Sequence, residues 1–373
     1  MTLPPSTQTL PPMRRYSAGI LGATGAVGQQ FIRLLDGHPW FDVVALGASS
    51  RSAGKRYDEA AAWTLPTPIP ERIAAMTVEE ARPGQGGALD ACDIVFSGLD
   101  ASVAGEIEAA FAAAGVAVVS NARNHRLDPT VPLLIPEVNP DHTALIDRQT
   151  FDATGKGFIV TNPNCSTVGL ACALAPLHAA FGVEAVHVVT MQALSGAGYP
   201  GVASLDALGN VIPHIGGEEE KMATEPGKIL GRLVDGDGGP SVEAATFAVS
   251  AQCNRVPVID GHLLCVSVRL TGDPSADAVR ATLIDAPNPL DGLGLPTAPA
   301  RWLHHFNAPD APQTRRHVGL GGGMTVSVGR VQPCAVLGVK FVALVHNTIR
   351  GAAGGAILNA ELLAAQGRIT ARG

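Results

Sequence analysis

The chain has 373 residues, 46% of them hydrophobic, enough for two domains with substantial cores; its formal net charge of -7 argues against nucleic acid or an anionic membrane as partner, since both need a basic face. The six cysteines, Cys92, Cys165, Cys172, Cys253, Cys265 and Cys334, form no CxxC pair and no His/Cys cluster at ligand spacing. A disulfide framework and a metal site are therefore not expected, and the partners expected are small molecules.

Residues 1–14 are rich in proline, serine and threonine and are expected to form a disordered lead. No apolar run reaches membrane-spanning length and the N-terminus lacks a signal-peptide core, so the expected compartment is the cytoplasm. The apolar run Arg15 to Leu21 then enters Gly22-Ala23-Thr24-Gly25-Ala26-Val27-Gly28, and a helical pattern follows over Gln29 to Leu35. Strand, glycine loop and helix is the first unit of a dinucleotide fold, with Gly22 and Gly25 letting backbone approach a pyrophosphate at the helix start. The spacing is GxxGxxG rather than GxGxxG, so taken alone it is weak evidence, with a helix-packing glycine turn as the alternative. The next strand, Phe41 to Leu46, leads to Ser49, Ser50 and Arg51, where an NAD-selective fold would carry an acidic residue. Serines and an arginine suit a 2′-phosphate and predict NADP, although Arg51 alone is equally a solvated loop charge.

The strand Asp93 to Phe96 ends at Ser97 and Gly98, a small-residue turn open to a nicotinamide or ribose. A helix over Ala104 to Ala114 and a strand over Val116 to Ser120 continue the alternation, which predicts a twisted, mostly parallel sheet. Beyond it lies Asn121 to Arg126, where an open α/β sheet binds ligands; Arg126 is the candidate phosphate ligand, or else a surface arginine without a role.

The strand Gly157 to Thr161 runs into Asn162-Pro163-Asn164-Cys165-Ser166-Thr167 and a buried helix, with Ser166 or Thr167 available as its cap. A thiol at a helix N-terminus meets unpaired amide N–H groups and the positive end of the dipole, which favours its thiolate. Cys165 is thus the candidate nucleophile, against the alternative of a small buried hydrophobe. Pro176 is expected to kink or shorten the helix. Val183 to Ala193 reads as a strand that delivers Gln192, an amide able to orient a carbonyl, to a turn of Ser195, Gly196 and further glycines that would cover a nicotinamide. Glu218 and Lys221 lie three apart on a helical face, either as a solvated acidic patch or as holders of an ammonium and a phosphate. Arg255 can clamp a carboxylate and His262 can carry a proton, unless His262 is only a turn residue. Residues 287–317, dense in Pro, Gly and Ala, carry no assignable chemistry. Two strands, Met324 to Val331 and Val336 to Val345, precede His346 to Gly355 and a last helix expected to return to the first domain.

In their order, GATGAVGQ, ASSRSAGKRY, SNARNHR, IPEVNP, NPNCST, LSGAGYPGV, IPHIGGEEEK, NRVPVIDGH and HNTIRGAAGG resemble the aspartate-β-semialdehyde dehydrogenase family, in its archaeal and fungal branch, over nearly the whole chain. The resemblance implies an α/β chain: a Rossmann-like NADP-binding domain of residues 15–162 and 346–373, and an α+β catalytic and dimerisation domain of residues 163–345 with a mixed sheet. It implies Cys165 as nucleophile, His262 as acid/base and Gln192 as the active-site amide. Arg255 would bind the α-carboxylate of aspartyl phosphate and Glu218 its amino group, while Arg126 and Lys221, supported by Asn164, would hold the phosphate. NADP would touch Gly22, Thr24, Gly25, Ala26, Val27, Ser49, Ser50, Arg51, Ser97, Gly98, Ser195, Gly196 and Asn347. The family forms homodimers and dimers of dimers. The reaction implied is NADPH-dependent reduction of L-aspartyl-4-phosphate to aspartate 4-semialdehyde through a cysteine thioester, in lysine, threonine and methionine biosynthesis. The rivals are an acyl-CoA reductase such as a malonyl-CoA reductase, an N-acetylglutamyl-phosphate reductase, against which NPNCST speaks, and a silent NADP-binding regulator.

Overall fold

The computed structural model describes residues 15–236 and 238–372; the lead expected over residues 1–14 lies outside the described residues. In chain order the strands are β1 Tyr16–Leu21, β2 Phe41–Ala48, β3 Glu79–Glu80, β4 Ile94–Ser97, β5 Ala117–Ser120, β6 Phe158–Thr161, β7 Val183–Gln192, β8 Arg232–Gly236, β9 Gly239–Glu243, β10 Ala248–Arg255, β11 His262–Leu270, β12 Leu303–Phe306, β13 Val326–Cys334 and β14 Gly338–Val345. The helices that matter here are α1 Ala26–Leu35, α2 Ala101–Ala113, α3 Cys165–Phe181, α4 Glu218–Ile229, α5 Ala276–Ile284 and α6 Gly354–Ala365.

The first sheet runs β3-β2-β1-β4-β5-β6 and is parallel throughout. Its order reverses between β1 and β4, which opens a crevice at the strands' carboxyl ends. Two loops meet there. Gly22 has φ +75°, and a Cβ on it would lie 2.7 Å from the Gly98 carbonyl oxygen, so only glycine fits this crossing. Helix α1 follows because Gly28, Phe31, Ile32 and Leu35 repeat at helical spacing and are all buried.

The second sheet runs β10-β7-β11-β14-β13-β12. β7 pairs in parallel with β10 and antiparallel with β11, and β12 is parallel to β13, so the sheet is mixed. Along β11, Leu264, Val266, Val268 and Leu270 are buried and alternate with more exposed residues, which is the pattern of a sheet covered on one face. The cover is α3, which packs on β11, β14, β7 and β13. Pro176 lies inside this helix without ending it. Val168, Leu170, Leu174 and Leu177 bury it in the core, and that burial offsets a local penalty of about 3 kcal/mol.

After β14 the chain crosses back, and α6 packs against α1 and β5. The stretch without assignable chemistry has a structural place. Leu290 and Leu295 join the core that holds β1, α1 and α6, and the Thr297 amide donates to both oxygens of Glu361 at 3.0 Å. His38 Nε2 lies 2.9 Å from the same carboxylate. No helix of the described residues is long and apolar enough to cross a membrane.

Candidate active site

Cys165 is the first residue of α3, and its cap is Asn164, not Ser166 or Thr167 as expected. Asn164 Oδ1 accepts from the Ser166 amide at 2.9 Å and the Thr167 amide at 3.2 Å. Serine and threonine two and three residues later are already helical and cannot take that position. The Asn164 side chain is thereby spent within the protein, because its Nδ2 donates to Glu218 at 2.8 and 3.0 Å. It supports the phosphate site only through its neighbours. Glu225 Oε2 accepts from the Asn164 amide at 2.7 Å. Of the free N–H groups that every helix start presents, those of Asn164, Ser166 and Thr167 therefore have partners, which leaves the N–H of Cys165 itself for an oxyanion.

The Cys165 Sγ lies 3.3 Å from His262 Nε2. His262 opens β11 and is fully buried, and its Nδ1 receives the Ala193 backbone N–H at 3.0 Å. Gln192 ends β7, pairs in register with Arg255 at the end of β10, and is also buried. Its amide oxygen accepts from Thr190 Oγ1 at 3.0 Å, which turns its nitrogen toward Glu218 Oε2 at 3.2 Å. Arg255 Nη1 donates to the Ala193 carbonyl at 2.7 Å. The turn holding Ser195 and Gly196 closes over these groups, and a Cβ on Gly196 would sit 2.9 Å from Arg255 Nη1 and 3.1 Å from His262 Nε2.

Helix α4 supplies the charged wall. Its buried stripe is Glu218, Met222, Glu225, Pro226 and Ile229, so two carboxylates occupy positions that usually hold apolar side chains. Glu218 accepts from Lys221 Nζ at 2.7 Å. Burial alone would raise its pKa, but Lys221, Asn164 and Gln192 hold it below the ordinary carboxylate range. Glu225 takes Arg126 Nη1 at 2.8 Å, and Arg126 Nη2 donates to the Asn121 carbonyl at 2.8 Å.

A cavity of about 400 Å³ runs from Ala26 and Val27 at the glycine loop, past Ser195, Gly196 and Asn347, to Cys165, Asn164, Arg126, Glu218 and Lys221. Asn347 joins its two sides: its Oδ1 accepts from the Gly261 amide at 2.9 Å and its Nδ2 donates to Ser195 Oγ at 2.8 Å. Behind the nucleophile, a Cβ on Gly351 would lie 2.7 Å from that of Cys165, so the turn after β14 presses directly on the reactive residue. Gln192, Arg255 and His262 stand buried beside the cavity, and Gly22, Thr24 and Gly25 form the loop before α1. Ser49, Ser50 and Arg51 are exposed just beyond β2 and do not line the cavity. Ser97 is fully buried and its hydroxyl turns inward to Glu108 at 2.6 Å, so that turn presents Gly98 rather than a serine hydroxyl.

The thiolate expected at rest is not what this environment favours. Burial, and then the charge of Glu218, push the Cys165 thiol up to about 12 against the opposing pull of Arg126, Lys221 and Arg255. Burial, and then Arg255, push His262 down to about 3. Both shifts favour a neutral thiol beside a neutral imidazole. Glu225, Thr190 and Gly351 escaped the sequence reading. Helical spacing offered a signal for Glu225, which stands seven residues after Glu218 on the same face.

The semialdehyde dehydrogenase NAD-binding domain model matches residues 17–146, and the semialdehyde dehydrogenase dimerisation domain model matches residues 174–350. The aspartate-semialdehyde dehydrogenase of Cryptococcus neoformans is 48% identical over 96% of this chain and 99% of its own. That of Archaeoglobus fulgidus is 47% identical over 94% of this chain and 98% of its own. The crystal structure of aspartate semialdehyde dehydrogenase with NADP from Candida albicans superposes with a TM-score of 0.85 at 44% identity, covering 95% of this chain and all of that one.

Proposed function

The chain belongs to the aspartate-semialdehyde dehydrogenase family, and on that premise we infer how its cleft reduces L-aspartyl-4-phosphate with NADPH to aspartate 4-semialdehyde and phosphate. The carrying observation is the 3.3 Å approach of Cys165 Sγ and His262 Nε2 beside the cavity that also holds Arg126, Lys221 and Glu218.

The β1 crossing at Gly22 and the absence of an acidic residue among Ser49, Ser50 and Arg51 fit NADP. Gly22, Thr24, Gly25, Ala26 and Val27 would hold its pyrophosphate, Arg51 its 2′-phosphate, and Gly98, Ser195, Gly196 and Asn347 its nicotinamide side. When bound, it supplies a hydride to the acyl carbon.

Cys165 attacks the acyl carbon and its own amide N–H meets the oxyanion. Arg126 and Lys221 receive the departing phosphate, with Arg126 fixed in place by Glu225. Arg255, its plane set by the Ala193 carbonyl, takes the α-carboxylate as a fork. Glu218 takes the ammonium by exchanging it for one of its present donors. Gln192, oriented by Thr190, steadies the carbonyl. The Ser195–Gly196 turn keeps water from the thioester.

A dimerisation-domain match supports oligomerisation, and we propose a homodimer or dimer of dimers, acting in the cytoplasm. We also propose the division into an NADP-binding domain of residues 15–162 and 346–373 and a catalytic domain of residues 163–345. The test pairs aspartate semialdehyde, NADP and phosphate with a parallel assay of malonyl-CoA and NADPH, for wild type and Cys165→Ala. Turnover of the semialdehyde alone, lost in Cys165→Ala while NADPH titration is retained, is expected. An active alanine variant, or reduction of malonyl-CoA instead, would overturn the reading.

A further inference from the structure

Building on the aspartyl-phosphate reading above, we propose that Arg123 is a third phosphate-binding residue, whose uncompensated positive charge at the cavity mouth draws the phosphate dianion in and holds its outer oxygens. The turn that follows β5 sets the residue in place. Ser120 Oγ accepts from the Ala122 amide at 3.0 Å, and the Arg123 carbonyl accepts from the Arg126 amide at 3.3 Å. The two arginines thus stand at the two ends of one tight turn, and their environments differ: Arg126 is buried and Arg123 is exposed. Asn124 pins the turn to α2, its Nδ2 donating to the Ala101 carbonyl at 2.9 Å. The backbone under Arg123 is therefore fixed, while the residue lines the cavity.

The charge balance of the cavity singles Arg123 out. Three cations line it, Arg123, Arg126 and Lys221. Arg126 is paired with Glu225 at 2.8 Å and Lys221 with Glu218 at 2.7 Å. Each pair is formally neutral, so neither offers an approaching dianion a net charge. Among the described residues Arg123 has no carboxylate at ion-pair distance. Asp100 also lines the cavity, and its carboxyl is held below the ordinary range first by the Ser102 hydroxyl and amide and then by Arg123. Its Oδ1 is taken by that amide and hydroxyl at 2.9 and 2.6 Å, so Asp100 attracts Arg123 from a distance without binding it.

The placement of the guanidinium favours phosphate over the cofactor. Arg123 Nη1 stands 3.9 Å from where a Cβ on Gly217 would lie, and Lys221 Cε stands 4.0 Å from the same point, so the two cations flank the start of α4. A guanidinium there presents a planar fork that matches phosphate oxygens. Because it is exposed, it also acts on an anion still in solvent, through a field that a cleft focuses and salt weakens.

The test is the reverse assay of the full-length enzyme, with aspartate semialdehyde, NADP and inorganic phosphate, for wild type, Arg123→Gln and Arg123→Lys across a range of ionic strength. Loss of one charge-assisted contact at an exposed position should raise the phosphate KM in Arg123→Gln by about 5–20-fold, with the KM for NADP held and kcat changed by less than about threefold. The kcat/KM for phosphate should fall with salt in wild type and in Arg123→Lys, and more shallowly in Arg123→Gln. Arg123→Lys keeps the charge but not the fork, so it should recover part of the lost KM. An unaltered phosphate KM in Arg123→Gln, or a rise in the KM for NADP instead, would overturn the proposal. So would equal losses in the glutamine and lysine variants with an unchanged salt slope, since those belong to a structural role. A wild-type enzyme that turns over without phosphate would instead bring down the reaction itself, whatever Arg123 does.

Discussion

Replacing Glu225 tests whether the phosphate arginine and the nucleophile's helix are held by one carboxylate. Its two oxygens accept from Arg126 Nη1 at 2.8 Å and the Asn164 amide at 2.7 Å, and the ion pair is nearly sealed, with side-chain exposures of 9% for Arg126 and 3% for Glu225. Glu225→Ala strands a buried guanidinium, which costs about 3–5 kcal/mol. Glu225→Gln keeps the shape but must turn an NH₂ toward one of two donors, so it loses one charge-assisted bond, about 1.5–3 kcal/mol. The assay is urea unfolding of both variants, together with the apparent KM for phosphate in the direction of semialdehyde oxidation. We expect alanine to be the less stable and the phosphate KM to rise in both while that for NADP holds. An alanine variant within about 1 kcal/mol of wild type, or a phosphate KM that does not move, would refute the shared-anchor argument.

Gly351→Ala drives a methyl into the position 2.7 Å from Cys165 Cβ; kcat should drop by about 10²-fold with NADP binding retained, and an active variant would show that the turn yields instead. Arg350 and Glu137 form a buried two-bond pair at 2.8 and 2.7 Å. Arg350→Met alone should cost about 3–5 kcal/mol in urea unfolding, and Arg350→Met with Glu137→Leu should recover most of it; equal losses in the two would argue against the pair. Burial raises Cys92 to about 12 and Cys172 to about 11, so the native state keeps protons that the unfolded chain releases above about pH 8.5. Their stabilisation is complete below that pH and is lost as pH rises through the folded values, by about 1.4 kcal/mol per pH unit for each thiol. Unfolding free energies measured from pH 8 to 11 should fall accordingly, and a flat profile would contradict it.

Much of the site was legible because its residues stand where strands end. Cys165, Gln192, Arg255 and His262 each lie at a strand terminus or the helix start next to one, and local pattern reveals such places. What stayed hidden depends on partners far along the chain. Glu225 sits in a helix whose first turn is all acidic and reads as solvated, yet its stripe is buried against Arg126 and Asn164. The charge state of Cys165 could not be read from the helix start, because burial and Glu218 outweigh Arg126, Lys221 and Arg255 there. Pro176 signalled a break that core packing overrides, and the cap fell to Asn164 because Ser166 and Thr167 are already within the helix.

Residues 287–302 have a consequence for how the molecule is built. This stretch leaves the mixed sheet, plugs Leu290 and Leu295 into the apolar interior beneath β1 and hooks Thr297 onto Glu361 before returning at β12. With α6 arriving from the opposite end of the chain, the cofactor half is finished by segments synthesised long after its sheet. A nascent first half would lack Leu290, Leu295 and Thr297 at that interior until the remaining polypeptide supplied them.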